Sequence, residues 1–242
     1  MKKIFSILLV ATLGLAAKTE AKEQINISYS SNQDDDRDVR NFNGVAAAGP
    51  INVVLTLGNT ESCRLEGDSE ALATIVTEVK GNVLVIRPQT SITSWAKKYE
   101  SKKITAYVTA KNISSLTMSG SGSMVVNGKV DAQALAVTLS GSGSIKVAAD
   151  ADNLNAVMSG SGSINISGSA DHAKIVMSSS GSFAGKTFSV NTLSATISGS
   201  GQVNIKANDS IKAVISGSGS VNYSGNATVE KTVFGSGRVR KV

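Results

Sequence analysis

The sequence holds one cysteine, Cys63, and one histidine, His172, among 242 residues. A lone thiol forbids an internal disulfide, and neither residue has a companion at the spacing a metal site needs. Cys63 alternates in register with Leu65, which suits a small core residue better than a nucleophile. Aromatic residues make up 4% of the chain, so a core must rest on Val, Ile, Leu, Met and Ala. The chain contains no G-x-S-x-G, no G-x-G-x-x-G and no P-loop pattern, and no cofactor is expected. The acidic run Asp34, Asp35, Asp36 and Asp38 lacks the glycine and the later bidentate acid of a calcium loop. Nor is there a strong excess of one charge. The formal balance is +6, of which the leader accounts for +2 through Lys2, Lys3, Lys18 and Glu20. The remaining chain is only mildly basic, which argues against a nucleic-acid partner.

What the sequence has in quantity is one short phrase. Seven times an apolar residue is followed by S-G-S-G-S or a near variant and then an alternating apolar pair. The lead residues are Met118, Leu139, Met158, Met177, Ile197, Ile215 and Val233, at spacings of 21, 19, 19, 20, 18 and 18. Self-similarity at about 20 residues marks a repeat architecture whose coils bury apolar residues against their neighbours. Around Met158 the period is two: Ala156, Met158, Gly160, Gly162, Ile164 and Ile166 share one face, and Val157, Ser159, Ser161, Ser163 and Asn165 share the other. Glycines are expected where a bend crowds the interior, with the serines outside. The fold predicted is all-β, a single-stranded β-solenoid with about 20 residues per coil, in the form of a right-handed parallel β-helix. A sandwich or barrel of short strands does not require one identical turn at a near-constant period. Helical repeats fit worse, because Gly and Ser at this density disfavour helix.

Coils that depart from the pattern are informative. Ser179 replaces a glycine, Phe183 enlarges the next inward position and Gly185 follows, as a volume trade inside a packed interior would require. Phe234 and Arg238 replace ladder serines, and Arg240 with Lys241 charges the last coil. Such charge protects a stack from end-to-end growth.

Residues 1–21 resemble a secretory signal, with Lys2 and Lys3, an apolar run from Ile4 to Ala17, and Thr19-Glu20-Ala21 as a small-x-small cleavage site. Residues 22–40 are polar and are expected to form a flexible leader to a domain at 41–242. The chain is therefore expected to be exported to the periplasm or cell surface, with no transmembrane segment once the signal is removed. At Val45 the segment V-A-A-A-G-P-I-N-V aligns without a gap on M-S-G-S-G-S-I-N-I from Met158, placing Gly49 on Gly162 and Ile51 on Ile164. Gly49-Pro50-Ile51-Asn52, the strand-like Cys63 to Leu65, the segment Asn82 to Pro88 and the S-G-S-G-S phrases together resemble the head GIN domain of the putative auto-transporter adhesin family. The likeness covers nearly all of residues 40–242. It implies an exported, non-enzymatic, repeat-bearing protein with an adhesin-like binding role in the bacterial envelope.

Two sets of residues are candidates for binding. Ser121, Ser142, Ser161, Ser200 and Ser218 share one outward phase and suit a repetitive partner: a glycan, a cell-surface ligand or another copy of the rod. Trp95, Lys97, Lys98 and Tyr99 combine aromatic faces with cations, as a saccharide or anion site would; the alternative is a connection whose Trp covers an end of the core. A periplasmic scaffold remains a second reading of the chain. A polysaccharide-acting enzyme is a third, and it would need clustered carboxylates that the Ser, Thr, Asn and Gln ladders do not supply.

Overall fold

The computed structural model describes residues 32–99 and 102–242; residues 1–21, which resemble a secretory signal, and the polar stretch 22–31 lie outside them. The chain opens with β1 (Asn32–Arg37), β2 (Gly44–Ala48), β3 (Ile51–Leu57) and β4 (Ser62–Asp68). A short helix α1 (Ser69–Leu72), β5 (Ile75–Lys80), β6 (Val83–Pro88), α2 (Ile92–Lys98), β7 (Ile104–Ala110) and β8 (Ser115–Gly120) follow. The repeats come next as long bent strands, one to a coil: β9 (Ser123–Gly141), β10 (Ser144–Ser159), β11 (Ser163–Met177), β12 (Ser182–Gly199) and β13 (Gln202–Gly217). The last coil-and-a-half is β14 (Ser220–Ser224), β15 (Thr228–Phe234) and β16 (Arg238–Lys241).

From β9 to β14 each strand pairs in parallel with the next, and β15 and β16 continue the stack on β13 and β14, so the chain is a β-solenoid of about seven turns. Met118, Leu139, Met158, Met177, Ile197, Ile215 and Val233 stack residue for residue, as the repeat spacing predicts. Unequal coil lengths are absorbed at register shifts such as Asn165/Ser167 and Gly185/Ser189, which leaves the inward rows aligned. Those rows are fully buried at Ile145, Ile164, Phe183, Val203 and Val221, each such side chain contributing about 1.5–3 kcal/mol by burial. The volume trade at Phe183 is visible. A Cβ on Gly185 would lie 2.9 Å from the Phe183 ring, and Gly185 stands where the next coil has Ile205.

The glycines answer to a different constraint from the expected one. The first glycine has positive φ in every phrase but the one where Ser179 replaces it, +114° at Gly141 and +118° at Gly217, and a Cβ on Gly141 would sit 2.6 Å from the carbonyl oxygen of Gly120 in the coil before. The second glycine, as at Gly162, would strike the Gly143 carbonyl and approach Leu139 Cδ2 at 2.9 Å. The crowding is mainly between successive coils, along the stack, rather than within one interior.

The N-terminal half is more elaborate than a simple run of coils. Strands β2 and β3 form a layer inside the stack, β2 between β6 and β8, and β3 between β7 and β9. The chain then travels outward to close the end with antiparallel pairs, β4 on β7 and β5 on β6, before β8 returns to the repeats. The gapless alignment of Val45–Val53 proves to be displaced by two residues. Ala47 occupies the Met118 row and Val53 the Met124 row, so Ile51 lies under Gly122 rather than in the Ile164 row. A slip of two preserves inward and outward faces, and alternation alone cannot detect it. The expectation of flexibility through residue 40 is also overturned for residues 32–40. Strand β1 adds antiparallel to β4, with Arg64 against Asp34 and Arg37 against Asp35, and Val39 is buried.

Candidate functional site

Each bend between coils is held by hydrogen bonds to the bend before it. Gly162 N donates to Gly141 O at 3.1 Å and Ser163 N to Gly143 O at 3.1 Å. The backbone polar groups are thus occupied along the axis, and the intervening side chain projects outward. Ser121, Ser142, Ser161, Ser200 and Ser218 are all exposed. The flanking register adds Ser180 and Ser236 to the same edge, both exposed. Seven hydroxyls follow one edge of the rod at the spacing of adjacent strands, about 4.8 Å.

A second feature runs along another corner. Leu135, Leu154, Ala173 and Leu193 stack in register and floor a groove of about 720 Å³. Asn153, His172 and Thr192 form one lip; Asn155, Lys174 and Ser194 form the other, with Lys212 continuing it. His172 Nδ1 and Thr192 Oγ1 are hydrogen-bonded at 2.8 Å, tying neighbouring coils at the lip. The lining includes no Asp or Glu; of its two lysines, Lys212 also lies 3.7 Å from Glu230 on the next coil. The groove combines a floor of apolar residues that are 1–3% exposed, hydroxyl and amide walls, and positive charge.

The adjoining corner has the opposite sign. Asp131, Asp150, Asp152 and Asp171 line a shallow channel of about 570 Å³. Lys129 pairs with Asp150, and Ser169 Oγ donates to it at 2.8 Å; the Lys129 contact, then that of Ser169, lowers the Asp150 carboxyl below its ordinary pKa. Among the described residues no three His, Cys, Asp or Glu converge as a metal site.

Trp95 and Tyr99 cannot serve as the stacking faces considered from sequence. They are 2% and 5% exposed, because Trp95 lies on the inner face of α2 and Tyr99 caps that helix one turn later. Their rings approach to 5.0 Å, and Trp95 Nε1 donates to Thr74 Oγ1 at 2.7 Å. This aromatic pair seals the core. Lys97 and Lys98 remain exposed, but Lys98 is 3.2 Å from Glu70 and lies over the Tyr99 ring. Tyr99 and Glu70 raise its pKa above the ordinary lysine value. Sequence reasoning missed the groove, although polar residues flank Leu154 and Leu193 of its floor.

The class this fold defines is the parallel β-solenoid, here with hydroxyl-lined edges and an open lateral groove. The chain is a member of the family described as putative auto-transporter adhesin, head GIN domain, which matches residues 41–227. Among solved structures it is similar to a putative adhesin from Bacteroides fragilis NCTC 9343 at 22% identity and a TM-score of 0.75, covering 88% of this chain and 98% of that one. A putative lipid binding protein from Parabacteroides distasonis ATCC 8503 is similar at 20% identity and a TM-score of 0.67, covering 87% and 96%. A putative adhesin from Parabacteroides merdae ATCC 43184 matches at 19% identity and a TM-score of 0.66, again covering 87% and 96%. At these identities the likeness concerns the fold. No curated protein matches the chain. Among the described residues no helix is long and apolar enough to cross a membrane.

Proposed function

We propose that this chain is an exported, non-enzymatic, adhesin-like module that holds an extended polysaccharide along its coils. The observation that carries the reading is the lateral groove: an apolar floor runs from Leu135 to Leu193, and from Leu154 onward polar lips flank it coil after coil. A pyranose chain presents the matching pattern of apolar ring faces and hydroxyl edges, repeated at a comparable length. Lys174 and Lys212 favour a polymer bearing carboxylates. The exposed serine row supplies a second set of evenly spaced hydroxyls, and weak contacts repeated along a polymer combine by avidity. With no carboxylate pair in the groove, bond cleavage has no general acid and base.

The test passes the purified chain over immobilised neutral and uronic-acid polysaccharides, scoring retention and shortened products separately. Retention on the acidic polymers without shortened products is expected, with at least tenfold weaker retention for Lys174→Glu combined with Lys212→Glu. Shortened products, or no retention on any polymer, would overturn the reading. Replacing Ser121, Ser142, Ser161, Ser200 and Ser218 together by alanine separates the serine edge from the groove, since unchanged retention assigns those serines to solubility alone. One observation favours a second occupant of the same groove. Its leucine floor, together with the similarity to a protein named for lipid binding, suits an anionic amphiphile, which a long-chain fatty acid would reveal by binding in place of the polysaccharide.

A further inference from the structure

The two ends of the solenoid carry opposite charge on the same rows of residues. The sheet path begins at β1 and finishes at β16, and among the described residues each has a sheet partner on one side only. β1 is antiparallel to β4, and β4 to β7; β1 therefore runs in the direction of β7, β3 and every later coil, including β16. Two copies related by a shift along the axis would bring β16 of one beside β1 of the next as parallel strands, the pairing used throughout the stack.

The rows can be followed residue by residue. Asp36 lies beside Arg64, then Tyr107, Val54 and Val125; the row continues through Lys146, Asn165, Ala184, Asn204 and Asn222 to Arg240. The neighbouring outward row starts at Asp34 beside Glu66 and Thr105. It passes Asn52 and Ser123, which are hydrogen-bonded at 2.8 Å, and ends at Ser220 and Arg238. Each row thus has an aspartate at one end and an arginine at the other. Asp34 and Asp36 are exposed, as are Arg238, Arg240 and Lys241. Arg240 Nε donates to Asn222 Oδ1 at 2.6 Å, which fixes its guanidinium on the row, and Asn222 is buried. The same end coil leaves Phe234 66% and Val229 37% exposed.

We infer that copies of this chain associate head to tail, β16 of one against β1 of the next, with Arg238 and Arg240 facing Asp34 and Asp36. The spacing of two residues on both strands makes the pairs simultaneous. Like ends repel, three cations against three on β16, so the charged terminal coil that blocks tail-to-tail contact selects the head-to-tail one. Such a contact is heterologous and does not close, which gives filaments whose length grows with concentration. It is independent of what the groove binds.

Sedimentation of the purified full chain across a concentration series tests this. Concentration-dependent growth is expected at low ionic strength, with at least tenfold weaker association in molar salt. Arg238→Glu with Arg240→Glu, and separately Asp34→Lys with Asp36→Lys, should each be monomeric; because Arg240 also bonds Asn222 and Asp34 also pairs with Arg64, each should melt somewhat below wild type while still unfolding cooperatively. An equimolar mixture of these two variants should associate again, because every junction then joins opposite charges; this rescue excludes misfolding as the cause of the loss. Wild-type chain that stays monomeric at low salt, variants that associate as wild type does, or a mixture that does not recover would each overturn the inference.

Discussion

Replacing Gly141 by alanine tests whether the coils are held apart by nothing more than glycine. Gly141 has φ of +114°, a region that L residues enter at a cost of about 1–3 kcal/mol. Its new methyl would start 2.6 Å from Gly120 O and 3.1 Å from Gly120 Cα, backbone atoms that cannot swing aside, so two coils must separate by several tenths of an ångström. Strain and overpacking together should cost about 2–4 kcal/mol. Two controls separate the causes. Gly81 also has positive φ, +62°, but nothing lies within 4 Å of its missing Cβ, so Gly81→Ala should cost about 1 kcal/mol from the backbone alone. Ser161→Ala, at an exposed position on the same kind of bend, should cost under about 0.5 kcal/mol. Urea unfolding followed by circular dichroism gives the midpoints and slopes, and the slope shows whether terminal coils detach early. Equal costs for Gly141→Ala and Gly81→Ala would refute coil-to-coil crowding, and a larger cost for Ser161→Ala would mean that inward and outward faces are exchanged.

Ile164→Asp places a carboxylate in a fully buried row and should prevent folding, whereas Asn165→Asp on the outer face should leave solubility and melting unchanged; a soluble, cooperatively melting Ile164→Asp chain would contradict the register. Burial raises the Cys63 thiol from 9.0 to about 12. The folded state therefore keeps its proton while the unfolded chain loses it, so stability is intact below pH about 9 and falls as pH rises towards 12, by about 1–2 kcal/mol at pH 10. Cys63→Ala should flatten that part of the pH profile, and native Cys63 should resist alkylation until the chain unfolds. Trp95→Ala removes the lid of the N-terminal core and its bond to Thr74, which should cost about 3–5 kcal/mol without weakening polysaccharide retention; lost retention at unchanged melting would return Trp95 to the binding surface.

The repeats were legible because one phrase fixes both period and phase: the inward row from Met118 to Val233 follows the sequence spacing residue for residue. The N-terminal layers were less so. β2 and β3 alternate as the coils do, and a two-residue slip leaves every face unchanged, so only the pairing of Ala47 with Met118 reveals the register. β1 was hidden by its aspartates, which read as solvated until Arg64 and Arg37 are seen beside them. Trp95 and Tyr99 were read by composition, although their spacing of four already put them on one helical face. The serine edge was visible in the phrase itself, and Ser180 was passed over because its bend reads S-S-G instead of G-S-G. The groove was not visible, since its lips vary in type from coil to coil and only their position relative to Leu135, Leu154 and Leu193 is constant.

The length dependence of binding bears most directly on the claim that the coils hold an extended polymer. Graded oligosaccharides cut from the best-retained polysaccharide should bind more tightly with each added unit until they span the four floor residues and their flanking lips, about 20 Å, and then level off. A single sugar unit that binds as tightly as the polymer, or affinity that ignores length, would place the interaction in a compact pocket and contradict binding along the stack.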